Sequence, residues 1–236
     1  MQYLIDAEVF ESYPGYRRGV VVIRGAQNTR DGSALETLLR SEEARVRERL
    51  AGINVAEHPA IAAWRDAYRR FGAKPSEHRS SIEAMLRRVL KPDRLPSINP
   101  LVDIGNIVSL RYLLPAGVHP LPAGGPGLAL RRAREGDTFL PADGAAPEAP
   151  PATEVVFAHG AEILTRRWTW RQAAGTQTLP DTTEVFFNID GLPPVDDDAV
   201  RLAMTDIAQL VVAHTGGSVI AMAVLAAGAS CMRMEG

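Results

Sequence analysis

The chain has very few of the residues that build disulfides and metal sites. Only one of its 236 residues is a cysteine, Cys231, and a single thiol can neither close an intramolecular disulfide nor supply a thiolate cluster. The five histidines never stand at the three- or four-residue spacing that places two ligands on one face of a helix. We therefore expect no disulfide, no metal site and no cofactor.

The motifs of covalent catalysis and of phosphate binding are also missing. The stretch 216–220, GGSVI, has isoleucine where the nucleophile elbow G-x-S-x-G requires its second glycine. The stretch 124–127, GGPG, contains a proline that lacks a backbone donor, and no Gly-Lys-Ser/Thr follows it, so we interpret it as a turn. A serine nucleophile and a nucleotide-binding loop are both disfavoured.

Long hydrophobic runs are missing as well. No stretch approaches the ~18 apolar residues of a membrane-spanning helix. Residues 1–10 carry neither a basic leader nor a continuous apolar run. Hydrophobic residues make up 46% and charged residues 23% of the chain, as in soluble globular proteins, and the length fits one large domain. We expect a cytoplasmic protein without membrane association.

Charge is unevenly distributed along the chain. The net charge is −2, yet residues 60–94 contain nine basic and four acidic side chains. Such a cluster can present a basic face to a phosphate backbone in spite of the acidic total. The candidate phosphate-binding residues within it are Arg69, Arg70, Lys74, Arg87 and Arg88. The alternative, charged helix faces that simply meet water, remains open.

The patterning predicts a mixed α+β chain. Tyr3, Ile5, Ala7 and Val9 alternate with more polar neighbours, which predicts a strand, and residues 19–23 predict a second, more buried strand. Ser33 and Glu36 fit a capping box at the start of a helix that Gly52 would end. Further helices are predicted at 58–71, 76–90, 99–113 and 196–214.

The second half of the chain reads differently. Residues 115–127 are rich in glycine and proline and predict a loop. Strands are predicted at 127–130, 154–157, 162–170, 183–189 and 218–225. Because the helices concentrate in the first half and no βαβ alternation occurs, we predict helices packed on a mainly antiparallel sheet.

Four motifs in order carry a family resemblance. They are the stretches 71–79, FGAKPSEHR; 99–106, NPLVDIGN; 131–138, RRAREGDT; and 167–172, RWTWRQ. Together they resemble the B3/B4 domain, the editing domain in the β subunit of bacterial phenylalanyl-tRNA synthetase and in its free-standing relatives. The resemblance implies a single B3/B4-like domain over 1–236. Its core lies at about 58–190, with strands and a helix before it and a helix–strand extension after it.

The resemblance also implies an activity. A free-standing B3/B4 domain would hydrolyse in trans the ester of a mischarged tRNA, by positioned water and the substrate's own ribose hydroxyl, without a metal. Some free-standing relatives are associated with removing non-protein amino acids such as the arginine analogue canavanine. Two alternatives remain: a non-catalytic module that binds tRNA or an amino acid, and a hydrolase of small esters.

Site residues follow from matched positions, in a pocket expected between the helical and the strand-rich halves. Asn106 and His119 are the candidate catalytic residues, His119 because the usual pKa of histidine suits proton transfer. The candidate substrate-binding residues are Arg79, Ser109, Thr165, Arg166, Trp168, Asn188 and Asp190. For several of them a structural role stands beside the functional one: local bonding for Asn106, a tie between helices for Arg79 and core packing for a tryptophan.

One position departs from the synthetase pattern. Asn188 stands where the synthetase pocket has a glutamate, and Asp190 lies two residues on, on the same face of the strand. The resemblance therefore implies a substrate other than tyrosine. We expect Asp190 to select a cationic or polar side chain.

Overall fold

The computed structural model describes residues 1–91 and 93–234. Over these residues the chain forms ten strands and six α-helices. The strands are β1 (Gln2–Ile5), β2 (Arg17–Arg24), β3 (Ala116–Pro120), β4 (Leu128–Arg132), β5 (Val155–His159), β6 (Glu162–Arg166), β7 (Arg171–Gln172), β8 (Val185–Gly191), β9 (Ser218–Leu225) and β10 (Cys231–Arg233). The helices are α1 (Ala7–Ser12), α2 (Ser33–Arg49), α3 (Pro59–Arg70), α4 (Ser81–Val89), α5 (Pro100–Tyr112) and α6 (Asp197–Thr215).

The strands form two sheets. The larger has the order β10-β1-β4-β5-β6-β7, and the smaller has the order β3-β8-β2-β9. Every pair of neighbouring strands is antiparallel except β1 and β4. The predicted α+β class with a mainly antiparallel arrangement is confirmed, with the strands divided between two sheets.

Helix α5 lies at the centre of the molecule and packs on α2, α6 and β3. Of its predicted apolar face, Leu101, Ile104 and Val108 are fully buried, whereas Tyr112 is half-buried and donates a hydrogen bond to Asp206 at 2.9 Å. None of the helices in the described part of the chain is long and apolar enough to span a bilayer.

The predicted first strand is wrong beyond Ile5. Residues 7–12 form the short helix α1, and Asp6 has the extended backbone that precedes it. Val9, Phe10 and Tyr13 are all buried, and this spacing fits one face of a helix better than alternate faces of a strand. Seven residues with weakly polar neighbours do not separate the two periods.

Two helix starts also differ from the prediction. Ser33 is the first helical residue rather than the cap, and its backbone N–H and hydroxyl both donate to Asp31 at 2.9 Å. Helix α4 begins at Ser81 rather than at residue 76, because the preceding Lys74–His78 segment closes its own turn through two backbone bonds to the Lys74 carbonyl. Its predicted end before Pro92 lies partly outside the described residues, and the helix ends at Val89.

Two loop assignments were wrong in ways that matter for the site. The stretch 115–127 contains the edge strand β3, which pairs with β8 although proline occurs at its end. The predicted strand 162–170 is a hairpin instead: β6 ends at Arg166, and β7 returns from Arg171. The turn between them holds Arg167 and Trp168 at φ 48° and 66°, a left-handed conformation that is uncommon without glycine.

Candidate functional site

A cavity of about 230 Å³ lies where α4 and α5 face both sheets, between the helical and the strand-rich halves. Helix α4 contributes Ser81 and Met85, and α5 contributes Val102, Gly105 and Asn106. The sheets and the hairpin turn provide most of the remaining lining, including Arg18, His119, Phe157, Thr165, Trp168, Gln172, Asn188 and Asp190.

Asn106 reaches the cavity because α5 packs closely on β3 at the preceding residue. A Cβ atom on Gly105 would lie 3.2 Å from the carbonyl oxygen of Ala116. The Asn106 amide has no hydrogen-bond partner among the described residues, so it remains available to a ligand. Ser109, one turn further on, does not line the cavity: its hydroxyl accepts from the Ala116 backbone N–H at 3.1 Å and ties α5 to β3.

The floor of the cavity is a buried ion pair. Arg18 donates from Nε to Oδ1 of Asp190 at 2.6 Å and from Nη2 to Oδ2 at 3.0 Å. The hydroxyl of Tyr16 donates to the same Oδ1 at 2.5 Å. Burial alone would lower the pKa of Arg18, but the attraction of Asp190 outweighs it and holds that pKa well above the usual value. Asp190 thus enters the cavity with its charge already matched.

A second chain of hydrogen bonds joins this pair to Asn188. Arg18 donates from Nη1 to the hydroxyl of Tyr3 at 2.8 Å, and that hydroxyl donates to Oδ1 of Asn188 at 2.8 Å. Burial raises the pKa of Tyr3, so its proton stays in place near neutral pH. With its oxygen used in this way, Asn188 has its Nδ2 donors left for a ligand.

His119 is enclosed by aromatic rings. It stacks on Phe186 with 5.3 Å between ring centroids and meets Phe157 in a T-shaped contact at 5.5 Å. Burial, followed by the positive charge of Arg18, lowers the pKa of His119 to about 3. The expectation that its pKa suits proton transfer is therefore wrong: the ring is neutral at physiological pH and a weak base.

Trp168 forms a wall of the cavity from the left-handed turn. Its ring packs edge-on against Tyr13, Tyr16 and Trp64 at 4.7–5.2 Å between centroids, and its indole N–H donates to the hydroxyl of Tyr16 at 3.2 Å. Such contacts fix a strained backbone in place, as is common beside ligand sites. Thr165 precedes the turn and also lines the cavity.

Arg166 and Arg79 lie apart from the cavity lining. Arg166 is buried on the other side of its strand, where Nε and Nη2 donate to the two oxygens of Glu154 at 2.5 and 2.8 Å. Arg79 is exposed, has no partner within the described residues, and precedes the N-cap of α4. It stands two residues before Ser81, which lines the cavity.

The five predicted phosphate-binding residues lie on α3, α4 and the loop between them, and each has a partner. Arg69 pairs with Asp66, Lys74 with Glu77, Arg87 with Glu83 and Arg88 with Asp93, while Arg70 donates to the backbone carbonyl of Ser12. Except for Arg87, which is bound to the buried Glu83, these pairs are on the surface and exchange readily with solvent or with a ligand.

Sequence reasoning missed Arg18, Tyr3, Tyr16 and Gln172 as parts of the site. The signal for Arg18 is its position immediately before the apolar run GVVVI of 19–23: a charge in a strand buried on both faces needs a buried partner. Its partner lies 172 residues away, and the pairing of β2 with β8 brings the two together.

The fold and the cavity define an α+β domain with one polar, charge-balanced pocket. The chain belongs to the B3/4 domain family, since the family model of the B3/4 domain matches residues 63–216. The resemblance inferred from the four motifs is thereby confirmed.

The chain is also similar to a solved structure. This is an N-terminal fragment of the phenylalanyl-tRNA synthetase β-subunit from Pyrococcus horikoshii, at 12% identity and a TM-score of 0.46. The match covers 92% of this chain and 49% of that fragment, so the protein spans about half the length of the fragment. No curated protein matches the chain.

Proposed function

We propose that the protein is a trans-acting aminoacyl-tRNA deacylase that hydrolyses the ester of a mischarged tRNA. The observation that carries the proposal is that one cavity of a B3/4 domain gathers most of the residues matched to the editing pocket. Those residues are Asn106, His119, Thr165, Trp168, Asn188 and Asp190. They come from five separate stretches of the chain, and nothing in the packing of the core requires their polar groups to meet.

The chemistry asks for hydrogen-bond donors rather than for a nucleophile. Water attacks the ester carbonyl, and negative charge develops on the carbonyl oxygen, where fixed donors are most effective. The amides of Asn106 and Asn188 are suitable donors. His119 has too low a pKa to remove a proton, and Asp190 is held by Arg18, so the proton of the attacking water passes to oxygens of the terminal ribose.

The charge balance bears on the substrate. A cationic side chain would have to compete with Arg18 for Asp190, and Arg171, at the same cavity, is paired with Asp143 at 2.6 Å. An uncharged, hydrogen-bonding side chain suits such a pocket best. Canavanine remains a candidate because the oxygen beside its guanidino group makes it a much weaker base than arginine, so that it can enter without a charge.

A panel of purified mischarged tRNAs tests the proposal. The panel includes canavanine on arginine tRNA and tyrosine on phenylalanine tRNA, and the intact ester is followed over time with and without the protein. Faster loss from any member than in buffer supports the deacylase. Tight binding that slows ester loss would favour a non-catalytic binding module, and cleavage of small amino-acid esters alone would favour a metabolic hydrolase.

A further inference from the structure

Gln172 stands behind His119, on the side away from the cavity. Its Nε2 lies 3.0 Å from the carbonyl oxygen of Val118 and 3.2 Å from Nδ1 of His119, and it also donates to the carbonyl oxygen of Thr176. Three acceptor positions thus surround one amide nitrogen. Gln172 is the last residue of the RWTWRQ motif, and the proposed hydrolysis leaves it without a role.

The two carbonyl groups decide how the Gln172 amide is oriented. Were the amide reversed, its oxygen would face two carbonyl oxygens and lose both hydrogen bonds. The group that faces His119 is therefore an N–H donor. Nδ1 of His119 must then be the unprotonated acceptor, because an Nδ1–H would point at another N–H. The proton of the neutral ring is on Nε2.

Nε2 of His119 is on the cavity side of the ring. It has no hydrogen-bond partner among the described residues, and it lies 3.8 Å from where a Cβ on Gly117, another lining residue, would be. Glycine at 117 keeps the space in front of this nitrogen open. The flanking rings of Phe157 and Phe186 prevent the imidazole from turning.

We propose that Gln172 is a positioning residue that holds His119 as the Nε2–H tautomer, so that His119 donates a hydrogen bond to the carbonyl oxygen of the bound ester. The inference rests on the proposed deacylase function and assigns His119 the part of an oxyanion donor rather than of a base. The charged group closest to the ring is Arg18, from β2, whose positive charge favours the neutral imidazole.

The step balances without a change of protonation on the protein. The oxygen of water forms a bond to the carbonyl carbon, and the electron pair of the C=O bond moves to the oxygen that His119 faces. When that pair returns, the bond from carbon to the ribose oxygen breaks, and the ribose oxygen receives the proton that water gives up. The products are the free amino acid and a tRNA with a free terminal hydroxyl.

The tautomer can be measured on the protein alone. In ¹⁵N-labelled protein the imidazole shifts of His119 should show a protonated Nε2 and a bare Nδ1, unchanged from pH 5 to pH 8. In Gln172→Glu the carboxylate should accept from Nδ1, so Nδ1–H should appear and the ring should titrate within that range. A glutamine of merely structural importance would change stability and leave the tautomer as it is.

Single-turnover deacylation supplies the second arm. His119→Phe keeps the ring stack and should lower the rate on the order of 10²-fold, whereas His119→Gln keeps a donor amide and should retain more of it. Gln172→Leu should lower the rate as well, and Gln172→Glu should make the pH–rate profile bend where the wild-type profile is flat.

The outcomes separate the two proposals. If wild-type His119 carries its proton on Nε2 but no tRNA of the panel is deacylated, the deacylase function fails while the positioning by Gln172 stands. If the protein deacylates tRNA but His119 carries its proton on Nδ1, or if His119→Phe keeps the full rate, the inference is overturned while the function stands.

Discussion

Arg18 and Asp190 face each other across β2 and β8 and join through two parallel hydrogen bonds of 2.6 and 3.0 Å in the floor of the cavity. Both side chains are almost completely buried. A buried carboxylate that already holds an arginine is poorly placed to attract a second cation. The pair therefore sets the polarity of the cavity through its neutrality, in contrast to the selecting charge expected from the sequence.

Removing one member of this pair should destabilise the protein strongly. In Asp190→Asn the guanidinium of Arg18 stays buried without its counter-charge, which costs about 3–5 kcal/mol of unfolding free energy. The adjacent Arg17 supplies a matched control, because its pair with Asp197 at 3.7 Å is partly exposed, and Arg17→Met should cost at most about 1 kcal/mol. Urea unfolding of both variants measures the difference. Equal losses would contradict the assigned role of Asp190.

Stability should fall below neutral pH because of His119. The pKa of its ring is about 3 in the folded protein against 6.5 as the usual value, so the unfolded chain binds more protons between these two values. Stability contributed by the neutral ring is complete above pH 6.5 and is lost as the pH falls toward 3. Between pH 7 and pH 5 this group alone should cost about 2 kcal/mol.

Unfolding titrations of the wild type and of His119→Gln at the two pH values isolate that contribution. The variant lacks the ring, so its stability should change less over the same interval, by the amount assigned to His119. An identical pH dependence in the two proteins would show that the ring is not held in its neutral form by burial.

Arg79 and Arg88 should contribute to tRNA binding. Arg79 is exposed and unpaired within the described residues, and Arg88 lies on the face of α4 that carries Ser81 and Met85 to the cavity. For each phosphate that an Arg→Gln substitution deprives of its cation, the slope of log affinity against log salt should decrease by about 0.7–0.9. Filter binding over a salt series measures this slope.

Arg201→Gln provides the control for that series. Arg201 lies on α6, which contributes no residue to the cavity lining, and pairs with Asp197 at 2.6 Å. Its slope should equal that of the wild type. A change as large as that of the Arg79 and Arg88 variants would indicate a general effect of net charge instead of a defined RNA path.

Gly19 should not tolerate a side chain, because α6 packs directly on β2 next to Arg18. An added Cβ would lie 2.6 Å from Sδ of Met204 and 2.9 Å from Cγ1 of Val200. Gly19→Ala should therefore destabilise the protein by about 1–3 kcal/mol. Gly124→Ala, where nothing lies within 4 Å, is the neutral control. Shortening Met204 in the Gly19→Ala background should recover part of the loss, and thermal unfolding of the double mutant measures it.

The elements that the sequence predicted correctly have local signals. Helix α5 has an asparagine cap, a proline in its first turn and apolar residues at helical spacing, and these determine where it begins and which face is buried. By contrast, β3 contains glycine and ends in proline, and it is a strand because β8 lies beside it. Local propensity gave no indication of this pairing, which depends on residues about 70 positions away.

The site divides in the same way. The cavity position of Asn106, His119 and Asn188 agrees with the positions matched by motif, whereas the partners that determine their chemistry lie far off in sequence. Arg18 changes the meaning of Asp190, and burial among aromatic rings changes that of His119. A pattern of residue types identifies which groups are present, but their charge states depend on neighbours that only the folded chain supplies.

The most direct test of the account is the single-turnover rate at which the protein cleaves the ester of its best mischarged tRNA. Wild-type protein should exceed the rate in buffer, and Asn106→Ala should fall on the order of 10²-fold because the cavity loses a donor. Thr205→Ala, on an exposed part of α6, should match the wild type. Ester loss at the buffer rate for every tRNA, or an Asn106→Ala rate equal to that of the wild type, would contradict the claim that this cavity is a deacylase site.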